Sequence, residues 1–312
     1  MSSAVYDEVH MNEKSPDPEL PRGVALAWGV AANPQRGPKR EMSIESIVDT
    51  AVELADKGGL SAVSMSSVAT VLGFTPMSLY RYITAKDDLV LLMQERGIGV
   101  PPESITEADN WRAGLLEWAT SQTTMYIDHS WLLDIPIAGI PVTPNNLAWL
   151  DAALQVLEGT AASYDEKISI VLAITAQVRW QGIVNRGYTD AAAAEGTSPD
   201  DLEVRDSTVL QSLVTAAQFP FVHAAMAAGT FGPGDSDPFQ FGIERVLDGV
   251  ERFLEGRPAP HADPLDPLLE GALRDPKVKE SIKARREVEK QLREARKRER
   301  EQIRNAKERL AR

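Results

Sequence analysis

The chain has 312 residues, no cysteine and a formal net charge of −13 at pH 7. Its length is enough for two domains with a sizeable core, and the lack of cysteine excludes disulfides and cysteine-held metals. It contains no run of 18 apolar residues and no basic-then-apolar leader, so we expect a soluble cytoplasmic protein. Abundant alanine and leucine beside 6% aromatic residues favour an all-α fold.

The first 40 residues are rich in proline, glycine and charge, which predicts a disordered arm over 1–40. Inside this arm, LPRGVALAWGV at 20–30 is a candidate docking segment that Trp28 would anchor. Three cations lie just before the first predicted helix: Arg36, Lys39 and Arg40. An arm in that position reaches phosphates or a minor groove, and a solvated basic linker is the open alternative.

A helix-turn-helix pattern occupies SMSSVATVLGFTPMSLYRYI, residues 64–83. Ser64 is a good N-cap for the first helix, and Gly73 follows that helix at the point where the backbone turns left-handed. Thr75 is the next N-cap, and Pro76 is the first residue of the second helix, a position that needs no backbone N–H. In such motifs the second helix enters the major groove of DNA.

One amphipathic helix precedes this motif and another helix follows it. The first covers about 43–57 and ends at Gly58 and Gly59. The later helix begins after Thr84, its predicted cap. Lys86 in the first turn of that helix opposes the helix dipole, so a phosphate partner would rationalise it.

The stretch LGFTPMSLYRYITAKDDLV resembles the DNA-binding end of tetracycline-repressor-type (TetR) regulators. The resemblance continues upstream through SIESIVDTAVELADKGGLSAVSMSSVA and covers roughly residues 40–92. It implies an all-helical homodimeric transcriptional regulator, a repressor that binds an inverted-repeat operator and that a small-molecule effector releases. It also implies a three-helix DNA-binding domain over 41–98 and a larger regulatory and dimerisation domain over 103–256.

The resemblance assigns the DNA contacts by position. Residues at the start of the recognition helix would face base edges: Thr75, Pro76, Met77 and Ser78. Four others would contact phosphates: Ser64, Tyr80, Tyr82 and Lys86. Arg81 would do either. This sequence has Thr-Pro-Met where many relatives have Ser-x-Gly-x.

Five helices are predicted in the larger domain. They cover 111–124, 145–159, 165–186, 208–228 and 237–254, and the fourth is interrupted near Pro220. Prolines break 129–146, and the pattern at 189–203 is typical of a flexible loop. The apolar faces of the third and fifth helices exceed what one small domain needs, which predicts dimerisation through a four-helix bundle.

Large side chains and a few polar groups in the larger domain are candidates for an effector site. The candidates are Trp118, Gln122, Met125, Trp131, Trp149, Gln177, Trp180 and Phe219. His129 and Arg179 are further polar groups able to orient a ligand. The alternative is that the aromatic residues form ordinary core and the polar ones lie on the surface.

The sequence of residues 257–312 predicts a linker followed by a basic amphipathic helical tail. From Asp275 to Arg312 the chain has 15 Lys and Arg against 8 Asp and Glu, a net of +7, which leaves −20 for the rest of the −13 chain. Apolar residues recur on one stripe of a helix that would begin near Pro276. They are Val278, Ile282, Val288, Leu292, Ala295, Ile303, Ala306 and Leu310. We expect the tail to lie against the acidic body or to reach DNA outside the operator core, with a solvated helix as the alternative.

The sequence shows no catalytic or metal-binding pattern. The four histidines are far apart, and none has a second ligand three or four residues away. No nucleophile elbow, phosphate-binding glycine loop or dinucleotide fingerprint occurs. We therefore predict no enzyme, no metal and no cofactor. Two other classes stay open: a helical interaction protein that has lost sequence-specific DNA binding, and a small-molecule enzyme on a helical scaffold.

Overall fold

A computed structural model describes residues 20–30, 42–137, 139, 142–231, 237–258, 267–285 and seven further positions between 287 and 309. All regular structure in these residues is helical, which confirms the predicted all-α class. None of the described helices is long and apolar enough to cross a membrane.

Twelve α-helices have defined bounds. They are α1 (Arg22–Ala27), α2 (Ile44–Gly58), α3 (Met65–Leu72), α4 (Pro76–Leu79), α5 (Lys86–Ile98), α6 (Trp111–Asp128), α7 (Pro144–Val156), α8 (Tyr164–Glu195), α9 (Pro199–Leu213), α10 (Pro220–Ala227), α11 (Pro238–Leu254) and α12 (Pro267–Arg274). Three short 3-10 turns cover Leu60–Ala62, Glu103–Ile105 and Ser130–Asp134.

The small N-terminal domain contains α2 to α5, and local signals set its helix ends. A serine capping box begins both α2 and α3, through Ser43 and Ser64. Gly73 ends α3 with φ 76° and ψ 27°, a left-handed conformation that favours glycine. The helix-turn-helix prediction is confirmed here, because α4 follows this turn at once and its base is fixed by the fully buried Leu79 and Ile83.

The larger domain packs α6 against α8, and α8 in turn against α11. Its fully buried side chains include Leu115, Ile174 and Leu247, one from each of these helices. The backbones of α6 and α7 approach closely at Gly114, where a Cβ would lie 2.7 Å from Val156 Cγ1. The domain therefore depends on small residues as well as on large apolar ones.

One sequence prediction for the larger domain is wrong. The predicted loop at 189–203 is helical over most of its length, because α8 continues to Glu195 and α9 begins at Pro199. Four consecutive alanines, the best helix formers, extend α8. The real break is short, with Gly196 in a left-handed conformation and Ser198 as the next cap.

The predicted disordered arm is wrong for residues 22–27, which form α1 and pack against α5. Val24 supplies the reason, since its side chain is only 5% exposed in the folded protein.

Thr84 is also not the cap of α5: Ala85 is the N-cap residue, and the Thr84 hydroxyl donates to Asp88 Oδ2 at 3.1 Å instead. The predicted basic contacts at 36–40 lie outside the described residues.

The C-terminal tail begins as predicted. Residues 276–285 are helical and mostly exposed, and Asp275 Oδ1 accepts from the Lys277 backbone N–H at 2.8 Å at the start of the helix. Val288 and Ala295 are also helical positions. The remaining four residues of the predicted apolar stripe lie outside the described part of the chain: Leu292, Ile303, Ala306 and Leu310.

Candidate functional site

The start of α4 presents its side chains to solvent. Thr75, Pro76 and Met77 are exposed, and Met77 is 75% exposed although it is apolar. Ser78 is half-buried. An exposed apolar side chain on the second helix of this motif is able to contact the thymine methyl group in a major groove.

Two pairs of hydroxyl groups near the motif already bond to each other. Thr75 Oγ1 and Ser78 Oγ are 2.7 Å apart. Ser64 accepts from the backbone N–H of Ser67 at 3.0 Å and donates to its hydroxyl at 3.1 Å. The hydroxyl groups of Ser64, Thr75 and Ser78, which are predicted to contact DNA, are therefore already hydrogen-bonded within the protein. DNA would have to share or replace these bonds.

The predicted phosphate contacts differ in exposure. Arg81 and Lys86 are exposed, and Lys86 is the first residue of α5. Tyr80 is 43% exposed, whereas Tyr82 is half-buried and packs against the core. Only part of Tyr82 is thus available to a ligand.

Sequence reasoning missed two exposed apolar side chains beside the turn. Val71 is 59% exposed and Phe74 is 42% exposed. Val71 lies on the face of α3 opposite its buried residues, so the periodicity of α3 was the available signal for it. Phe74 follows the Gly73 turn, where helical periodicity gives no signal.

The two domains meet at a joint that sequence reasoning also missed. Asp56 near the end of α2 accepts from Trp131 Nε1 at 2.7 Å, and the same oxygen lies 2.8 Å from His129 Nδ1. Trp131 also covers Gly97 of α5, where a Cβ would lie 3.0 Å from Trp131 Cζ2. Asp56 and Trp131 are 75 residues apart, so no local pattern points to this contact.

A second contact ties α5 to α7. The Glu95 carboxylate accepts from the backbone N–H of Asn145 at 2.8 and 3.0 Å, and the Asn145 amide donates back to the Glu95 carbonyl at 2.8 Å. Burial raises the pKa of Glu95, while hydrogen bonds from Thr143 and Asn145 act in the opposite direction. Burial at the joint therefore makes the ionised form of Glu95 less favourable than it would be in water.

Three of the candidate effector residues are core tryptophans with bonded indole N–H groups. Trp118 donates to the Trp149 carbonyl at 2.9 Å, and the two rings meet edge-on with centroids 6.3 Å apart. Trp149 donates to the Gly99 carbonyl at 2.9 Å, and Trp131 belongs to the joint described above. All three are 7% exposed or less.

The remaining candidates do not gather around one cavity. Trp180 and Phe219 are 58% and 52% exposed, Met125 is half-buried against the core, and the Gln177 amide lies against Gly242. Gln122 differs from these residues, because it is only 6% exposed and its side-chain amide makes no hydrogen bond with any part of the chain that the structure describes. An unpaired buried amide is unusual in a folded protein.

Two grooves open on the larger domain, and neither lining includes a candidate effector residue. One, of about 520 Å³, lies at the start of α6 beside Trp111, Val156 and Leu254. The other, of about 300 Å³, lies between α8 and α11 and is mostly apolar, with Ile170 and Phe253 in its walls. In the described parts of the chain, no group of three or more His, Asp or Glu side chains is placed to hold a metal.

Comparison with known families matches both domains. The family described as "Bacterial regulatory proteins, tetR family" matches residues 47–93. The family described as "Tetracyclin repressor-like, C-terminal domain" matches residues 103–254. The two matches fall on the helix-turn-helix domain and on the larger helical domain.

Individual relatives agree with these matches. The HTH-type transcriptional repressor DrrR1 of Streptomyces coeruleorubidus is 30% identical over 247 residues, 78% of this chain and 90% of that protein. The HTH-type transcriptional repressor Rv1353c of Mycobacterium tuberculosis is 25% identical over 228 residues, 71% of this chain and 85% of that protein.

Among solved structures, ActR of Streptomyces coelicolor in complex with actinorhodin has a TM-score of 0.57 at 21% identity, covering 69% of this chain and all of that one. This likeness concerns the fold. The relationship to DrrR1 extends over nearly the whole of that repressor, and both domains match in order, so this chain belongs to the TetR family of bacterial transcriptional regulators.

Proposed function

We propose that this protein is a transcriptional repressor that binds an inverted-repeat operator as a homodimer and is released by a small-molecule effector. The observation that carries the proposal is the exposed first turn of α4, placed directly after the left-handed Gly73 turn in a chain of this family. Relatives of the chain that span most of its length are named repressors.

DNA binding is assigned to the exposed side chains of the small domain. Met77 and Thr75 face base edges and determine sequence preference. Tyr80, Lys86 and Arg81 contact phosphates, which fix orientation without reading sequence. Lys86 supports this division, since its exposed ammonium has no partner among the described residues and lies at a helix start, where the dipole disfavours a cation.

Dimerisation is assigned to the outer face of α8 together with α11. Exposed apolar residues recur along α8 at helical spacing: Leu172, Ala173, Ala176, Trp180 and Ile183. We call these five residues the α8 stripe. The apolar groove between α8 and α11 continues this surface. A second copy of the chain, related by a twofold axis, would cover this apolar surface. The same axis would position two recognition helices to bind two operator half-sites.

Effector binding is assigned to the interior beside α6. The side-chain amide of Gln122 is buried and has no hydrogen-bond partner among the residues that the structure describes, so it is a group whose hydrogen bonds a ligand would complete. ActR, which shares the fold, has been solved with actinorhodin bound. To release DNA, the effector must bind the DNA-incompetent state better, because equal affinity for both states shifts nothing.

A gel shift with the DNA upstream of this protein's own gene tests the proposal. A specific complex that competitor DNA does not remove is expected, and Met77→Ala should change which bases matter while the salt dependence stays the same. If binding is equally weak on all sequences, the chain is better described as an interaction protein with this fold. Native mass spectrometry of freshly purified protein then tests for a bound small molecule.

A further inference from the structure

Helix α1 lies outside both family matches, which begin at residues 47 and 103, yet it is bonded to both domains. Its Gly23 backbone N–H donates to Asp88 Oδ1 of α5 at 2.9 Å. Just beyond its other end, Trp28 Nε1 donates to the Val142 carbonyl at 2.8 Å. Val24, buried between these two points, holds the helix on the body of the protein.

The Asp88 end of α1 is connected to the recognition helix. The second oxygen of the Asp88 carboxylate accepts from the Thr84 hydroxyl at 3.1 Å. Thr84 directly follows Ile83, the fully buried residue that anchors the turn after α4. One carboxylate thus bonds to α1 through one oxygen and to the end of the recognition unit through the other.

The Trp28 end belongs to the larger domain. Val142 immediately precedes Thr143, the N-cap residue of α7, and Asn145 in the first turn of α7 bonds to Glu95 of α5. A shift of α7 relative to α5 would therefore move the carbonyl that Trp28 holds. The two bonded ends lie on opposite sides of the domain joint.

The close contact at Gly23 favours glycine. A Cβ on this residue would lie 2.8 Å from Asp88 Oδ1 and 3.2 Å from Asp88 Cα, so alanine would displace the carboxylate that bonds to Thr84 and push α1 away from the backbone of α5. A helix of six residues is about 9 Å long and rigid, so displacement at one end is passed to the other.

From these contacts we infer that α1 is an interdomain strap, in which Trp28 and Gly23 are positioning residues that link the start of α7 to the recognition helix. The strap rests on the proposed function for its biological meaning. Movement of α7 when an effector binds would act on the Asp88–Thr84 pair through α1, in addition to any path through α5 itself.

Hydrogen exchange of the full chain without DNA tests the strap. Trp28→Phe keeps the ring and removes the donor to Val142. We expect faster exchange not only at 22–30 but also at 84–92, by about fivefold, the factor that one hydrogen bond of ordinary strength contributes. The matched control is Trp111→Phe, because Trp111 is half-buried and its indole makes no hydrogen bond to the described residues; its exchange at 84–92 should match the wild type.

Gly23→Ala changes the opposite end of α1 and should speed exchange at 142–145, although the three atoms nearest a Cβ at this position all belong to Asp88 of the small domain. If Trp28→Phe changes only 22–30 and 139–145, and Gly23→Ala changes only 22–30 and 84–92, α1 is a passive tether and the inference is wrong. Loss of the gel shift would contradict the proposed function alone, because the exchange measurement contains no DNA.

Discussion

Individual side chains on the small domain determine its affinity for a phosphate backbone. Lys86 is exposed at the first residue of α5 and lacks a partner within the described structure. Each cation that neutralises a phosphate releases counterions, so it contributes both affinity and salt dependence.

Lys86→Ala should weaken binding to operator and unrelated DNA alike, and should lower the slope of log affinity against log salt by about one. Lys57→Ala is the matched control, since Lys57 is also exposed but lies at the end of α2 that faces the domain joint. Equal salt slopes for Lys86→Ala and the wild type in a filter-binding titration would remove Lys86 from the phosphate contacts.

The side-chain amide of Gln122 is buried without a hydrogen-bond partner in the described part of the chain, and such burial opposes stability. A buried amide without partners costs about 1–3 kcal/mol, and leucine has a similar volume without that cost. Gln122→Leu should therefore stabilise the ligand-free protein by about 1–2 kcal/mol, which raises the melting temperature by a few degrees. Gln155→Leu, at an exposed position of α7, should change the melting temperature little.

The opposite result for Gln122 would be equally informative. If Gln122→Leu lowers the melting temperature measured by calorimetry, the amide is already bonded to a buried water or to a retained small molecule. The effector assignment then depends on the native mass spectrum of the same preparation.

At the scale of elements, the contact between α5 and α7 makes stability depend on pH through Glu95. Burial raises the pKa of Glu95 above its ordinary value. The folded state then holds the proton of Glu95 more tightly than the unfolded state. The stabilisation that this proton gives to the folded state is therefore present at low pH and is lost as pH rises through the raised pKa.

Glu95→Gln keeps an acceptor for Asn145 and removes this titration. Relative to the wild type, the variant should become more stable as pH rises from about 4 to about 7. Urea unfolding of both proteins at several pH values measures the difference. A stability difference that stays constant over this range would show that Glu95 does not carry a raised pKa.

The α8 stripe carries the prediction on dimerisation. Val246 and Val250 of α11 are unsuitable positions for this test, because Val250 is only 8% exposed in one protomer and Val246 packs against its core. A charge there would damage the fold itself. The double variant Leu172→Glu, Trp180→Glu changes exposed positions, so the protein should still fold. Light scattering should show that it is a monomer, and it should lose specific DNA binding.

Leu213→Glu is the matched control for the stripe, because Leu213 is 67% exposed but lies on α9. It should leave the dimer intact. A folded monomer of the Leu172→Glu, Trp180→Glu variant that still binds the operator tightly would contradict the need for two half-sites.

The elements differ in how far sequence alone predicts them. Helices α3 and α4 follow from short-range signals, a serine cap, Gly73 and a proline at the first helical position, so their starts were predicted correctly. The end of α8 was missed because the loop signals at 189–203 were weighted above its alanines. Sequence alone did not indicate that two candidate effector residues, Trp118 and Trp149, donate their indole N–H groups to the carbonyls of Trp149 and Gly99, because these partners are 31 and 50 residues away.

At the scale of the whole molecule, the predicted role of the tail rests on its charge and its position. Arg112 at the start of α6 pairs with Asp248 of α11 at 2.6 Å, whereas His129 at the end of α6 meets Asp56 of the small domain. The 18 residues of α6 span about 27 Å. The tail therefore leaves α11 at the end of the larger domain that is far from the DNA-reading helix.

That distance does not exclude contact with DNA. A helix from 276 to 310 would be about 50 Å long, longer than the larger domain along α6. The tail carries +7 and the rest of the chain −20, so both the acidic body and a phosphate backbone attract it, and salt screens both attractions.

Truncation after Pro260 should lower the melting temperature or weaken non-specific DNA binding, and the loss should shrink as salt increases. Lys277, Lys279 and Lys283 are exposed on the described part of the tail, so changing all three to glutamine should give part of the same loss. Glu280→Gln changes one charge of the opposite sign on the same helix and should not reduce either quantity. A truncated protein with an unchanged melting temperature and unchanged DNA binding at low salt would leave the tail with neither role.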